Sequence, residues 1–289
     1  MTSLTSGLTV RTCSTSSRWL RANNIAQRTV LFVIENKNTG DNMAKQNIYD
    51  NDTFFDNFKN LRSNEINFND VIESPIITAM LPDLKGKKVL DIGCGMGQHA
   101  MQYSLAGAAS VLGIDISEKM ISYAREKNFS ANISYLVMAF EDLDRLDEKF
   151  DVITSSLALD YVEDFGALMK QIRSMLNDGG QFVFSMSHPI ATAYDGQYDR
   201  YTRTKDGVRL YANLHNYGIE GLRKFRWVVD EYEVYHRTFA TLVNGMASAG
   251  FVIEECQESR LPEEIRIKYQ DKFGGVIHQP DFIFFRCRK

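Results

Sequence analysis

The chain has 289 residues, 44% of them hydrophobic, which suits one enlarged α/β domain or a domain with an insertion around a sizeable core. A net charge of −4 and a pI near 5.8 argue against a general nucleic-acid binder, which ordinarily carries a basic face. Cys13, Cys94, Cys256 and Cys287 lack paired metal-ligand spacing and fit unpaired thiols in a reducing compartment, so no metal is expected, and the apolar run VLFVI is far too short to cross a bilayer.

Residues 1–42 read as an extension. No Asp or Glu occurs between Met1 and Ile34, and Arg11, Arg18, Arg21 and Arg28 stand among many Ser and Thr. That composition fits either an organelle transit peptide, mitochondrial or other, or an upstream segment without a fold of its own ahead of a cytoplasmic protein. The working domain is expected over 43–289. Its first part, Tyr49 to Leu81, predicts two helices, FFDNFKNLR and FNDVIESPIITAML, serving as an N-terminal lid.

Strands and helices then alternate. KVLDI (88–92), SVLGID (110–115), ISYLVM (133–138), FDVITSS (150–156) and GQFVFSM (180–186) predict strands. Helices are expected over 96–106, 117–127 and 162–176, the last stopping at Asp178-Gly179-Gly180. Near-continuous apolar strands alternating with helices imply a parallel, doubly wound sheet with both faces covered. Residues 187–235, rich in Tyr, Arg and Asp, break the rhythm and read as a substrate-side insertion with one or two extra strands. A helix over 237–249 and strands at 251–259 and 281–288 complete a seven-stranded Rossmann-like sheet.

The segment VLDIGCGMGQHA places Gly93, Gly95 and Gly97 between the first strand and the next helix. Such turns let a backbone approach a nucleotide closely. A dinucleotide fingerprint needs its third glycine one residue later, and a phosphate-cradling loop needs Lys-Ser or Lys-Thr after Gly97. What stands is D-x-G-x-G-x-G, with Asp91 just before the turn. Asp115 ends the second strand 22 residues beyond Gly93, where a carboxylate can accept both hydroxyls of a ribose; the plainer reading makes it a helix cap.

On these residues the chain resembles the class I S-adenosylmethionine-dependent methyltransferases, in the broad small-molecule, type 11-like group. The resemblance runs from Lys85 to Ser187 and less distinctly through Phe285. It implies S-adenosylmethionine as cofactor, held by Asp91, Gly93, Gly95, Gly97, Asp115, Ile116, Met120, Phe140, Glu141, Ser156 and Leu157. Relatives often carry an acid two residues before Glu141, where this chain has Ala139. A non-catalytic cofactor-binding protein on the same fold is the alternative; the displaced third glycine speaks against an oxidoreductase.

The expected activity is methyl transfer to an O, N or C atom of a small molecule, with membrane and nucleic acid not among the partners; nothing fixes the oligomeric state. Proton-transfer candidates are His188, after the fifth strand, and His236, ahead of the helix that follows the insertion. Tyr49, Tyr194 and Arg237 are candidate acceptor contacts.

Overall fold

The apolar runs of the first half become five parallel strands: β1 (Lys88–Ile92), β2 (Ser110–Asp115), β3 (Ile133–Val137), β4 (Phe150–Ser156) and β5 (Leu176–Ser187). The computed structural model describes residues 47–63, 67–194, 199–225 and 232–289, all within the unit Ala44–Lys289. The expectation for residues 1–42 therefore lies outside the described residues. Four short strands follow, β6 (Tyr201–Arg203), β7 (Arg209–Ala212), β8 (Gly221–Phe225) and β9 (Tyr232–His236), and then β10 (Val252–Glu258) and β11 (Phe282–Arg288).

The main sheet runs β10-β11-β5-β4-β1-β2-β3, with β11 antiparallel to both of its neighbours. Strand order reverses between β1 and β4, the switch point at which open α/β sheets bind ligands beyond the carboxyl ends of their strands. Alternate side chains feed two cores. Val89, Val111 and Val152 pack under helices 98–105 and 118–127, while Val183 and Phe284 pack under helix 74–80. Leu90, Ile153, Phe182, Phe184 and Phe285 meet helices 165–175 and 239–248 on the other face. Both faces are covered, which is why these strands lack a polar alternation.

Three local departures from the sequence reading have physical causes. The helix expected from 162 begins at Phe165, because the Asp164 carboxylate accepts the Ala167 N–H at 2.8 Å and caps it, after a 3₁₀ turn at Leu159–Tyr161. That helix ends at Met175, and Asp178-Gly179-Gly180 lies inside an elongated β5, with Gly179 at φ +75° beside a register shift between Phe150 and Val152. Among its described residues the insertion holds four strands, not one or two, paired as two antiparallel ladders, β6–β7 and β8–β9.

Candidate active site

The glycine turn is built around two tight positions. Gly93 and Gly95 have φ of +71° and +52°, a region that penalises side chains. A Cβ on Gly93 would lie 2.3 Å from the Ala158 Cβ, whereas one on Gly95 would meet no protein atom within 4 Å. The first glycine is thus required by packing after β4, and the second borders open space. Asp115 locks the turn to β2: its carboxylate accepts the Gly95 N–H and the Ser117 N–H, both at 2.9 Å. The cap of helix 118–127 is Ser117, whose hydroxyl accepts the Met120 N–H at 3.1 Å. Asp115 is accordingly not the cap, and each of its oxygens keeps a lone pair for a further donor.

Next to the turn lies a buried polar cluster. Glu73 ends a single wide helical turn, Asn69–Glu73, and is 0% exposed. One of its oxygens accepts the hydroxyls of Ser185 at 2.6 Å and Ser156 at 2.8 Å; the other pairs with His99 Nε2 at 3.5 Å. Burial opposes charge on both partners, yet each outweighs it in the other: Glu73 is held below the usual carboxylate range and His99 is raised. Asp91 accepts the Thr154 hydroxyl at 3.0 Å and is pushed up to about 6 by burial. Asp91 Oδ2, Glu73 Oε2, His99 Nδ1 and the nearby Arg62 Nη1 are buried without hydrogen-bond partners, although Glu73 Oε2 faces His99 at 3.5 Å and Arg62 Nη1 faces Asp70 at 3.7 Å. Orphaned acceptors and donors in one place mark a polar ligand's site.

The segment at Asn47–Asp50 closes the far side. Asp50 accepts the Ser117 hydroxyl at 2.6 Å and the Lys119 N–H at 3.2 Å, and the Asn47 amide donates to Asp50 and to the Ile116 carbonyl. Between them Tyr49 reaches to a second region, its hydroxyl 2.9 Å from that of Tyr161. Burial drives both phenols well above their ordinary pKa, and Asp160 lies close enough to add to the effect. Asp160 is itself 4% exposed, accepts the Ser187 N–H at 3.1 Å and hydroxyl at 2.8 Å, and is raised by burial.

With this arrangement in view, the comparisons are decisive. Residues 83–219 match the family model described as a methyltransferase domain. A protein of Haemophilus influenzae described as uncharacterised is 38% identical over 251 residues, covering 85% of this chain and 98% of its own. The solved putative S-adenosylmethionine-dependent methyltransferase of Listeria monocytogenes is 32% identical with a TM-score of 0.68, covering 75% of this chain and 96% of that one. The S-adenosylmethionine-dependent methyltransferase of Mesorhizobium loti is 33% identical with a TM-score of 0.67, covering 75% and 97%. The chain belongs to the class I S-adenosylmethionine-dependent methyltransferases. It is an enzyme, and S-adenosylmethionine is its cofactor.

The methyltransferase's own residues fit that group. The open flank of Gly95 leaves room for close backbone approach. Asp91 Oδ2, buried without a partner, suits an ammonium, and the spare lone pairs of Asp115 suit a ribose diol. Ile116 is half-buried at the mouth of β2, and Met120 is buried beneath it. The half-buried Phe140 brings its ring within 3.7 Å of the position a Gly93 Cβ would occupy. Glu141 is exposed in the first turn of the 3₁₀ helix Phe140–Arg145. The Ser156 hydroxyl is spent on Glu73. Leu157 sits at φ +51° and donates its N–H to both oxygens of Ser185, a strained non-glycine position beside the site.

Other candidates are placed differently. His188 Nδ1 accepts the Ile190 N–H, and its Nε2 lies 3.1 Å from Glu258; His236 contacts the Thr192 hydroxyl at 2.8 Å and the Tyr217 carbonyl at 2.9 Å. Each imidazole commits both ring nitrogens to protein partners, and burial lowers both pKa values. Arg237 is likewise buried, donating to the carbonyls of Val162 and Glu163 across the Phe165 and Tyr235 rings. Tyr194 packs against Phe225 at 6.3 Å. Glu73, Arg62 and Asp160 were not singled out by sequence; the signal available for the first is an acid set among apolar residues in VIESPII.

Two outcomes are expected. Gly95→Ala should fold with a loss of about 1–2 kcal/mol and bind S-adenosylhomocysteine more weakly, whereas Gly93→Ala should be destabilised further by its collision with Ala158; denaturant melts and calorimetry distinguish them. Asp91 in the folded, cofactor-free enzyme has a raised pKa, so its contribution is full below its ordinary value and is lost as pH rises through about 6. Asp91→Asn should therefore match the parent below about pH 4 and exceed it by about 3 kcal/mol at neutral pH, measured as a stability difference across that range.

Proposed function

We propose that the enzyme methylates a small molecule through a hydroxyl or amine, with Asp160 taking the acceptor's proton. The observation that carries this reading is a buried carboxylate with a raised pKa beside the paired Tyr49 and Tyr161 hydroxyls, near the carboxyl end of β4. The bound cofactor supplies an activated methyl group on a sulfonium. The chain's own task is to orient the acceptor, exclude water and accept a proton.

Asp160 suits the last of these. The Ser187 N–H and hydroxyl fix its orientation, and burial moves its pKa toward neutrality. Tyr232, pushed up to about 12 mainly by burial, and Tyr49 stay protonated and can donate to the acceptor. The closure of residues 47–63 by Asp50 and Tyr49 supports a small acceptor over a macromolecule, with the insertion at about 187–235 as the acceptor-side cover. Among the described residues no helix is long and apolar enough to cross a membrane. We place the working domain at 43–289 and its action in the cytoplasm, on the strength of the unpaired thiols.

The test is a metabolite screen with a labelled methyl donor, followed by variants. Asp115→Ala should weaken S-adenosylhomocysteine binding at least about tenfold, the loss of one charge-assisted hydrogen bond of about 1.5–3 kcal/mol. Asp160→Asn should keep that affinity and lose at least about tenfold in kcat. The parent's kcat should rise with pH as Asp160 ionises, and the variant's should not. Normal turnover by Asp160→Asn would remove the residue from the chemistry.

A further inference from the structure

The β6–β7 hairpin of the insertion holds two arginines that have no counter-ion among the described residues. Arg203 and Arg209 stand directly opposite each other across the ladder, a placement that costs stability for like charges. Both guanidinium groups lie over the Tyr201 ring, at 5.8 and 5.3 Å from its centroid. The only hydrogen bond recorded for Arg203 among the described residues goes to the Gly207 carbonyl at 2.9 Å. Arg209 makes no ion pair among the described residues, and its Nε is buried without a partner. Arg200, the third cation around the same ring, differs: Asp281 neutralises it at 2.6 Å. Residues 199–212 carry four Lys or Arg against two Asp, in a chain of net charge −4.

The hairpin is also held in place. A Cβ on Gly275 would lie 2.6 Å from the Tyr201 hydroxyl, so a glycine there lets the C-terminal segment close against the ring that carries both arginines, and Arg209 Nη1 borders Gly274 in the same segment. Asp281 ties this assembly to the catalytic edge: its carboxylate takes Arg200, and its backbone carbonyl accepts the His188 N–H at 2.8 Å, just beyond β5. Tyr232 feels both Arg200 and Asp160, which puts the hairpin's base on the acceptor side.

We infer that Arg203 and Arg209, framed by Tyr201, form an oxyanion site that takes a carboxylate or phosphate group of the methyl acceptor. Two forked guanidinium groups gathered over one ring match either oxyanion, and its negative charge relieves the repulsion between them. The acceptor is then an acidic small molecule, anchored at the hairpin while its hydroxyl or amine reaches Asp160. The assignment of the acceptor rests on the methyltransferase reading above; the oxyanion site itself does not.

Inorganic phosphate is the probe for the site. Titrated into the full-length protein against chloride of equal ionic strength and followed by calorimetry, it should bind the parent, and Arg203→Gln/Arg209→Gln should bind it at least tenfold more weakly with S-adenosylhomocysteine affinity unchanged. Equal phosphate binding by both proteins, or none by the parent, overturns the site. For the acceptor, labelled product from the metabolite screen should be retained on an anion exchanger, and Arg209→Gln should raise KM for that fraction at least tenfold while leaving kcat within twofold. Arginine-dependent phosphate binding together with label only in unretained products means that the site takes a free ion, which overturns its assignment to the acceptor. Failure to bind S-adenosylhomocysteine or to transfer label would strike the proton-transfer reading instead, and the phosphate arm would still decide the site.

Discussion

The site depends on one buried charge. Glu73 carries its carboxylate to zero exposure, where an unpaired ion would cost several kcal/mol. Its solution is to draw three elements together: Ser156 from the end of β4, Ser185 from β5, and His99 from the helix after the glycine turn. Because Glu73 belongs to the segment before β1, its bonds fix the N-terminal helices on the carboxyl edge of the sheet. Removing any partner would leave a buried charge short of donors, so the edge holds together as a unit. The wide turn at Asn69–Glu73 sets the carboxylate at that edge, ahead of helix 74–80.

The sequence was most legible where the physics is local. Parallel strands buried on both faces read as apolar runs, and β1, β2 and β4 fall on the residues expected. The D-x-G-x-G-x-G spacing and Asp115 were visible because a turn with positive φ demands glycine and a strand end places an acid at a fixed distance. The boundaries that moved did so through short-range chemistry of another kind, a cap at Asp164 and a left-handed Gly179 inside a strand. The arginine and tyrosine composition of the insertion concealed two hairpins, because half-exposed ladders lack a strong apolar alternation.

Side chains whose roles arise from contacts distant in sequence were not legible. Ser185 and Glu73 are 112 residues apart, and Tyr49 and Tyr161 are also 112 apart. No periodicity records such pairs. The two histidines show the same dependence: residue type and position at the sheet edge suggest proton transfer, while the partners of their ring nitrogens, Glu258, Ile190, Thr192 and Tyr217, are set by the fold. A histidine's chemistry is decided by what it touches, and that is a tertiary fact.

The charges around the site also bear on cofactor binding. Asp91, Glu73, Asp115 and Asp160 place four carboxylates near the switch point, with His99, whose pKa Glu73 raises, and Arg62 beside them. Burial raises Asp91, Asp115 and Asp160 by stripping water from their charged forms, and a cation held against them offsets that cost. Such an edge favours a ligand bearing a sulfonium and an ammonium over one with the ammonium alone.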